Sequence, residues 1–217
     1  MFIGHFAVGF AAKRIVPRVS LGTLFLSVQL VDLIWPVFLL MGIEQVRIAP
    51  GITAVTPLDF FEYPYTHSMT AVLIWSVIFG VIFFLVRRFP KGAIVLAAGV
   101  FSHWLLDFVT HRPDLPIAPG IDTFVGLGLW NSLAGTVIVE AGMYSAGIIV
   151  YLRTTRAVDR IGKYGLWTLI IFLAVVWVLN IFSEPPDESA IPYAGLALWL
   201  LIPWAYWINK HRQTFIH

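Results

Sequence analysis

Six apolar stretches, each of roughly 20 residues and so long enough to cross a bilayer, leave this chain few folds to choose from. They occupy 20–41, 66–86, 92–110, 131–151, 165–182 and 193–209, each bounded by polar, Pro or Gly punctuation. Inside a hydrocarbon core every backbone polar group must find its partner within the protein, so a spanning segment of this length is a helix. The chain is 59% hydrophobic and only 12% charged, too little polar surface for a soluble domain of 217 residues. It has no cysteine, which excludes disulfides and thiolate metal sites, and its formal charge of +2 gives no reason to expect nucleic acid as a partner.

The charges orient the spans. Lys13, Arg14, Arg18, Arg87, Arg88, Lys91, Arg153, Arg156, Arg160, Lys163, Lys210 and Arg212 fall at one end of the stretches. Arg47 and Arg112 fall at the other, among Glu44, Asp59, Glu62, Asp114, Asp122, Glu184, Asp187 and Glu188. Positive residues mark the cytoplasmic side, so both termini are expected in the cytoplasm of a prokaryotic inner (plasma) membrane protein. The opening MFIGHFAVGFAA is too short to cross, and Lys13 and Arg14 follow it rather than precede it, which is not a signal peptide. It is either a helix lying on the inner leaflet or a half-helix that re-enters and packs against the first span. The expected fold is an all-α polytopic membrane helix bundle: six transmembrane helices plus this short N-terminal re-entrant or interfacial helix, in one domain over 1–217. The longer connections, 42–65 and 111–130, both face outward, where loops often carry function.

Asp32, Asp107 and Glu140 lie inside the spans, and no span contains Lys or Arg. An unpaired acid near the bilayer centre costs about 2.5–3.5 kcal/mol on insertion scales. The offsetting charge must come from a proton, a charged histidine, a metal ion or a substrate. At about 1.5 Å per residue, Asp32, His103 and Glu140 lie at similar depths, roughly 13 Å below the outer ends of their spans. Asp107 sits one turn higher, His67 opens the second span, and His5 can reach the same level if the first segment re-enters. His103 and Asp107, four apart, share one helix face, a spacing that can hold an ion. His111 continues that face to the water boundary, where a solvated side chain is expected. Arg112 either steadies an anionic phosphate or merely flanks a helix end. GLGLWNSLAG at 126–135 lacks the strand context of a nucleotide loop and reads as a helix start, with Asn131 a candidate to line the site.

Four motifs in order, GHFAVGF, VDLIWP, YPYTHSM and FSHWLLDFVTHRPDLP, resemble the membrane-bound metal-dependent hydrolase (YdjM-like) family over residues 1–116. The resemblance implies His5, Asp32, His67, His103 and Asp107 as a metal-binding set. It also implies a distant similarity to zinc-dependent phospholipases C, which hydrolyse phosphodiesters. Where the fuller family pattern has PDIDH, this chain has LVDLIWP, without the second acid and the histidine.

The expected function is therefore a metal-dependent hydrolase acting near the outer face on a membrane lipid or lipid-linked phosphoester. Residues 1–151 would form the metal-site half and 165–209 a supporting helix pair. Imidazole and carboxylate ligands without thiolate favour zinc among divalent ions. Glu140 would be a ligand or the general base, and Arg112 would steady the phosphate. A proton- or metal-coupled transporter, with the acids on a proton path, is the competing expectation; a purely structural membrane protein would leave the buried acids unexplained. The topology is testable directly. A reporter fused after His217 should score as cytoplasmic and one inserted within 183–192 as external; the opposite pattern would overturn the orientation.

Overall fold

The structure, a computed structural model, describes residues 1–215; positions 216 and 217, at the terminus expected in the cytoplasm, lie outside the described residues. The chain begins with three helices, α1 (Ile3–Ala12), α2 (Leu21–Val28) and α3 (Leu30–Leu40). An antiparallel pair, β1 (Gln45–Ile48) and β2 (Leu58–Glu62), leads into a single turn, α4 (Pro64–His67). The helices α5 (Met69–Arg87) and α6 (Pro90–Thr110) follow as a tight antiparallel pair. A second small pair, β3 (Leu115–Pro116) and β4 (Phe124–Val125), precedes α7 (Leu133–Thr154). The rest is β5 (Thr155–Ala157), α8 (Arg160–Phe182), α9 (Ile191–Leu196), α10 (Leu201–Lys210) and β6 (Arg212–Thr214), with β6 returning to pair with β5.

Helices start where a short polar side chain can take an orphan backbone N–H. Ser20 accepts from Thr23, Ser68 from Ala71, Ser132 from Gly135 and Asp159 from Gly162. Pro90 opens α6, where its missing N–H would have been unpaired anyway. Arg88, at φ 48°, turns α5 back into α6.

Among the described residues, five helical segments are long and apolar enough to cross a membrane: Met69–Arg87, Pro90–Thr110, Leu133–Thr154, Arg160–Phe182 and Glu188–Lys210. The stretch 20–41 is not a straight span: α2 and α3 meet at 56° across Gln29, so the pair is a broken sixth span or a re-entrant loop. The last segment is also composite. Pro203 has no N–H for the Trp199 carbonyl, and the chain tightens to a 3-10 turn over Ala197–Leu200 before α10.

The two alternatives for the opening segment are resolved by burial. Ile3, Gly4, His5, Phe6, Ala7, Gly9 and Phe10 are all buried, so α1 lies within the bundle against α2, α6 and α7 rather than on a surface. Phe6 and Phe10 each meet the Phe25 ring edge-on at 4.9 Å, and Phe10 meets Tyr151 at 5.3 Å. Backbone approach sets the seat on α7: a Cβ at Gly147 would lie 2.5 Å from the Ala7 carbonyl oxygen. At the turn after α1, Lys13 is buried and donates to the Val19 carbonyl at 2.6 Å and to Asn209 Oδ1 at 3.0 Å. Burial lowers its pKa to about 8.

Gly147→Ala should therefore destabilise the protein by about 1–3 kcal/mol through overpacking. Gly142→Ala, whose added Cβ meets nothing within 4 Å, should stay within about 0.5 kcal/mol of wild type. Denaturation in detergent checks both, and equal effects would contradict the close seat of α1.

Candidate metal centre

Four elements bring the ionisable residues together. His103 and Asp107 come from one face of α6, Asp32 from α3 just beyond the break, His67 from α4 and His5 from the middle of α1. The equal depths inferred from helix rise are thus matched by a common direction. Candidate ligand atoms of Asp32, His67 and His103 lie within 4.8 Å of one another, and so do those of His5, His103 and Asp107. His103 belongs to both groups. His5 Nε2 is 3.1 Å from Asp107 Oδ1, His67 Nε2 is 3.2 Å from Asp32 Oδ1, and the His5 and His103 rings stack at 3.7 Å.

The protonation of His103 is constrained by the break in the first span. Val28 ends α2, so its carbonyl has no intrahelical partner; His103 Nδ1 lies 2.8 Å from that oxygen. A carbonyl only accepts, so Nδ1 carries a proton and Nε2 of the neutral ring is a lone pair. Nε2 is buried, 3.1 Å from Asp107 Oδ2 and 3.5 Å from Asp32 Oδ1, and has no hydrogen-bond partner among the described residues. A lone pair facing two carboxylates is repulsive, and either a second proton on the ring or a metal ion between them relieves it. The donor set, imidazole nitrogens with carboxylate oxygens and no thiolate, fits zinc and tolerates other first-row divalent ions.

A positive group that the count of Lys and Arg omits also reaches this cluster. The amino group of Met1 donates to Asp107 Oδ1 at 2.7 Å and lies 3.3 Å from Thr110 Oγ1.

The other expected residues divide. Glu140 is buried and lines the same cavity, but belongs to neither ligand group; it accepts the Phe2 N–H at 3.0 Å and so holds the start of α1. Arg112 is turned away. It pairs with Asp59 and, through Nε at 3.0 Å, with Asp114, and does not line the cavity. Arg47, the other outer-end arginine, also binds Asp59, at 2.6 Å. Asn131 is exposed and absent from the cavity wall; its neighbour Trp130 lines it instead.

His111 departs furthest from expectation. It is buried rather than solvated, with Nδ1 3.0 Å from Asp114 Oδ1 and its ring 4.3 Å from that of Trp130. Burial holds its pKa below the ordinary histidine value and raises that of neighbouring Tyr63, whose hydroxyl donates to Asp114 at 3.3 Å. The i, i+3 spacing of His111 and Asp114 was the available signal for this pair.

A cavity of about 510 Å³ opens beside the cluster. Asp32, His67, Asp107 and Glu140 form one side, Trp35, Phe60, Tyr63 and Trp130 an aromatic wall, and Val176, Leu179 and Leu198 an apolar flank. No Lys or Arg lines it among the described residues.

A family model described as YdjM inner membrane protein matches residues 62–185, more than half of the chain. The chain belongs to the YdjM inner membrane protein family. With its apolar helices, this makes it an integral membrane protein of an inner-membrane family. The matched segment carries His67, His103, Asp107 and Glu140, whereas His5 and Asp32 precede it. No curated protein and no solved structure matches the chain.

Since His103 is common to both ligand groups, its loss should do the most damage. Metal analysis of detergent-purified protein should find about one or more transition-metal ions per wild-type chain. His103→Ala should lose nearly all of it, and His5→Ala and His67→Ala a part each. Wild-type metal content in His103→Ala would contradict the assignment.

Proposed function

We propose that this YdjM-family protein is a metal-dependent hydrolase of a lipid or lipid-linked phosphoester. The observation that carries the reading is the buried Nε2 of His103, without a hydrogen-bond partner among the described residues and facing two carboxylates beside a cavity that no described Lys or Arg lines. Asp32, His67 and His103 would hold the ion, with Asp107 and His5 closing its inner side. When bound, a divalent ion supplies Lewis-acid polarisation of the scissile group and a nucleophile at neutral pH.

The chain's own groups do the rest. Glu140 is a carboxylate on the cavity wall beside the cluster and is the candidate to accept a proton. Trp35 also lines the cavity, and its buried indole N–H has no acceptor among the described residues. The apolar flank from Val176, Leu179 and Leu198 suits an acyl or prenyl chain, and the aromatic wall excludes water from the polar end.

The break beside Asp32 favours a second reading, a metal- or proton-coupled transporter, because discontinuous helices build many transporter ion sites. One reconstitution separates the two. Protein in liposomes containing phosphodiester lipids should release phosphorylated headgroup or diacylglycerol, lose that activity on chelation and regain it with zinc. Zinc or proton flux across the same membrane without any lipid cleavage would replace the hydrolase with the transporter.

A further inference from the structure

Glu44 was read from sequence only as one of the acids at the outer end, yet it is among the most deeply buried carboxylates in the chain. It lies just before β1 and reaches the start of α4. Its Oε1 accepts the backbone N–H groups of Tyr65 and Thr66, both at 2.8 Å, and its Oε2 accepts the Thr66 hydroxyl at 2.6 Å. The same Thr66 oxygen lies 2.7 Å from His67 Nδ1. A hydroxyl has one proton. With that proton given to Glu44, the oxygen can only accept from His67, so Nδ1 must carry a hydrogen. Nε2 of the neutral ring is then bare and faces Asp32 Oδ1 at 3.2 Å.

We infer that Glu44 and Thr66 are positioning residues that lock His67 in the tautomer whose Nε2 is free to bind a divalent cation. Without the lock, a neutral His67 carries its hydrogen on Nε2, donates it to Asp32, and satisfies the site without an ion. With it, His67 and Asp32 face each other with like polarity, as His103 and its carboxylates do. Two imidazoles from different elements are thus fixed in the same sense by two unrelated acceptors, Thr66 and the Val28 carbonyl. Such outer partners of metal-bound histidines typically change affinity by about 10–100-fold when removed. The inference rests on the metal reading of the site but makes a claim about His67 that stands apart from it.

Glu44→Gln is the decisive variant because it reverses the relay without changing its shape. The glutamine oxygen can keep the two backbone N–H groups while its amide nitrogen donates to Thr66. The threonine hydroxyl then points at His67 Nδ1 and forces the hydrogen to Nε2. Zinc titration of purified full-length protein against a competing chelator should show affinity falling about 10–100-fold in Glu44→Gln and Thr66→Val, with Thr66→Ser at the wild-type value. Nitrogen-15 histidine spectra should show a proton on His67 Nδ1 in wild type and none there in Glu44→Gln. Should Glu44→Gln fail to fold, the contrast of Thr66→Val with Thr66→Ser carries the same test. Wild-type affinity in folded Glu44→Gln, or in Thr66→Val, would overturn the relay. A wild type that binds no zinc would remove the metal reading, while the tautomer spectra would still decide whether the relay exists.

Discussion

The bundle is organised around one electrostatic conflict: Asp32 and Asp107 both face the bare nitrogen of a buried histidine, His103. In a medium of low dielectric such an arrangement is costly unless a second ring proton or a metal ion completes it. Several features that look unrelated serve to build it. The bend across Gln29 frees the Val28 carbonyl that holds His103, and it starts α3 so that Asp32 turns toward α6. Burying α1 among α2, α6 and α7 brings His5 against His103 and the Met1 amino group onto Asp107. The close approach at Gly147 is what lets α1 lie deep enough.

At the opposite end from the basic turns, a second set of charges is kept away from the cavity. Arg47 and Arg112 are both tied to Asp59, and Arg112 also to Asp114. The arginines are partly exposed but Asp59 is buried, and the ties fix where both guanidinium groups lie. They bind the β1–β2 and β3–β4 pairs to the end of α6 and leave the cavity, among the described residues, without a Lys or Arg side chain.

Periodicity and charge carried much of this in the sequence. Span positions follow from apolar length, and the pairing of His103 with Asp107 follows from a helical spacing of four. Other features depended on tertiary geometry. No residue in LSVQLVDL announces a break; Gln29 is no helix breaker, and the Val28 carbonyl at the bend is held by a histidine 75 positions away. The sequence left two roles open for Arg112, because its partner, Asp59, lies on a strand whose register places it there. His111 sits at a helix end, where exposure is the ordinary expectation; the loop that covers it with Trp130 has no periodic signature. Glu44 and Thr66 carry adjacent roles on one histidine while lying in separate elements, so no spacing rule links them.

The central claim is that one cation sits on imidazole Nε2 atoms of α4 and α6 with carboxylate oxygen beside them. X-ray absorption at the zinc edge of purified, zinc-loaded protein tests this most directly. The expected spectrum has a nitrogen/oxygen shell at about 2.0–2.1 Å with the outer-shell scattering of at least two histidine rings, one of which disappears in His67→Ala. A shell of oxygens without imidazole scattering, unchanged in that variant, would contradict it.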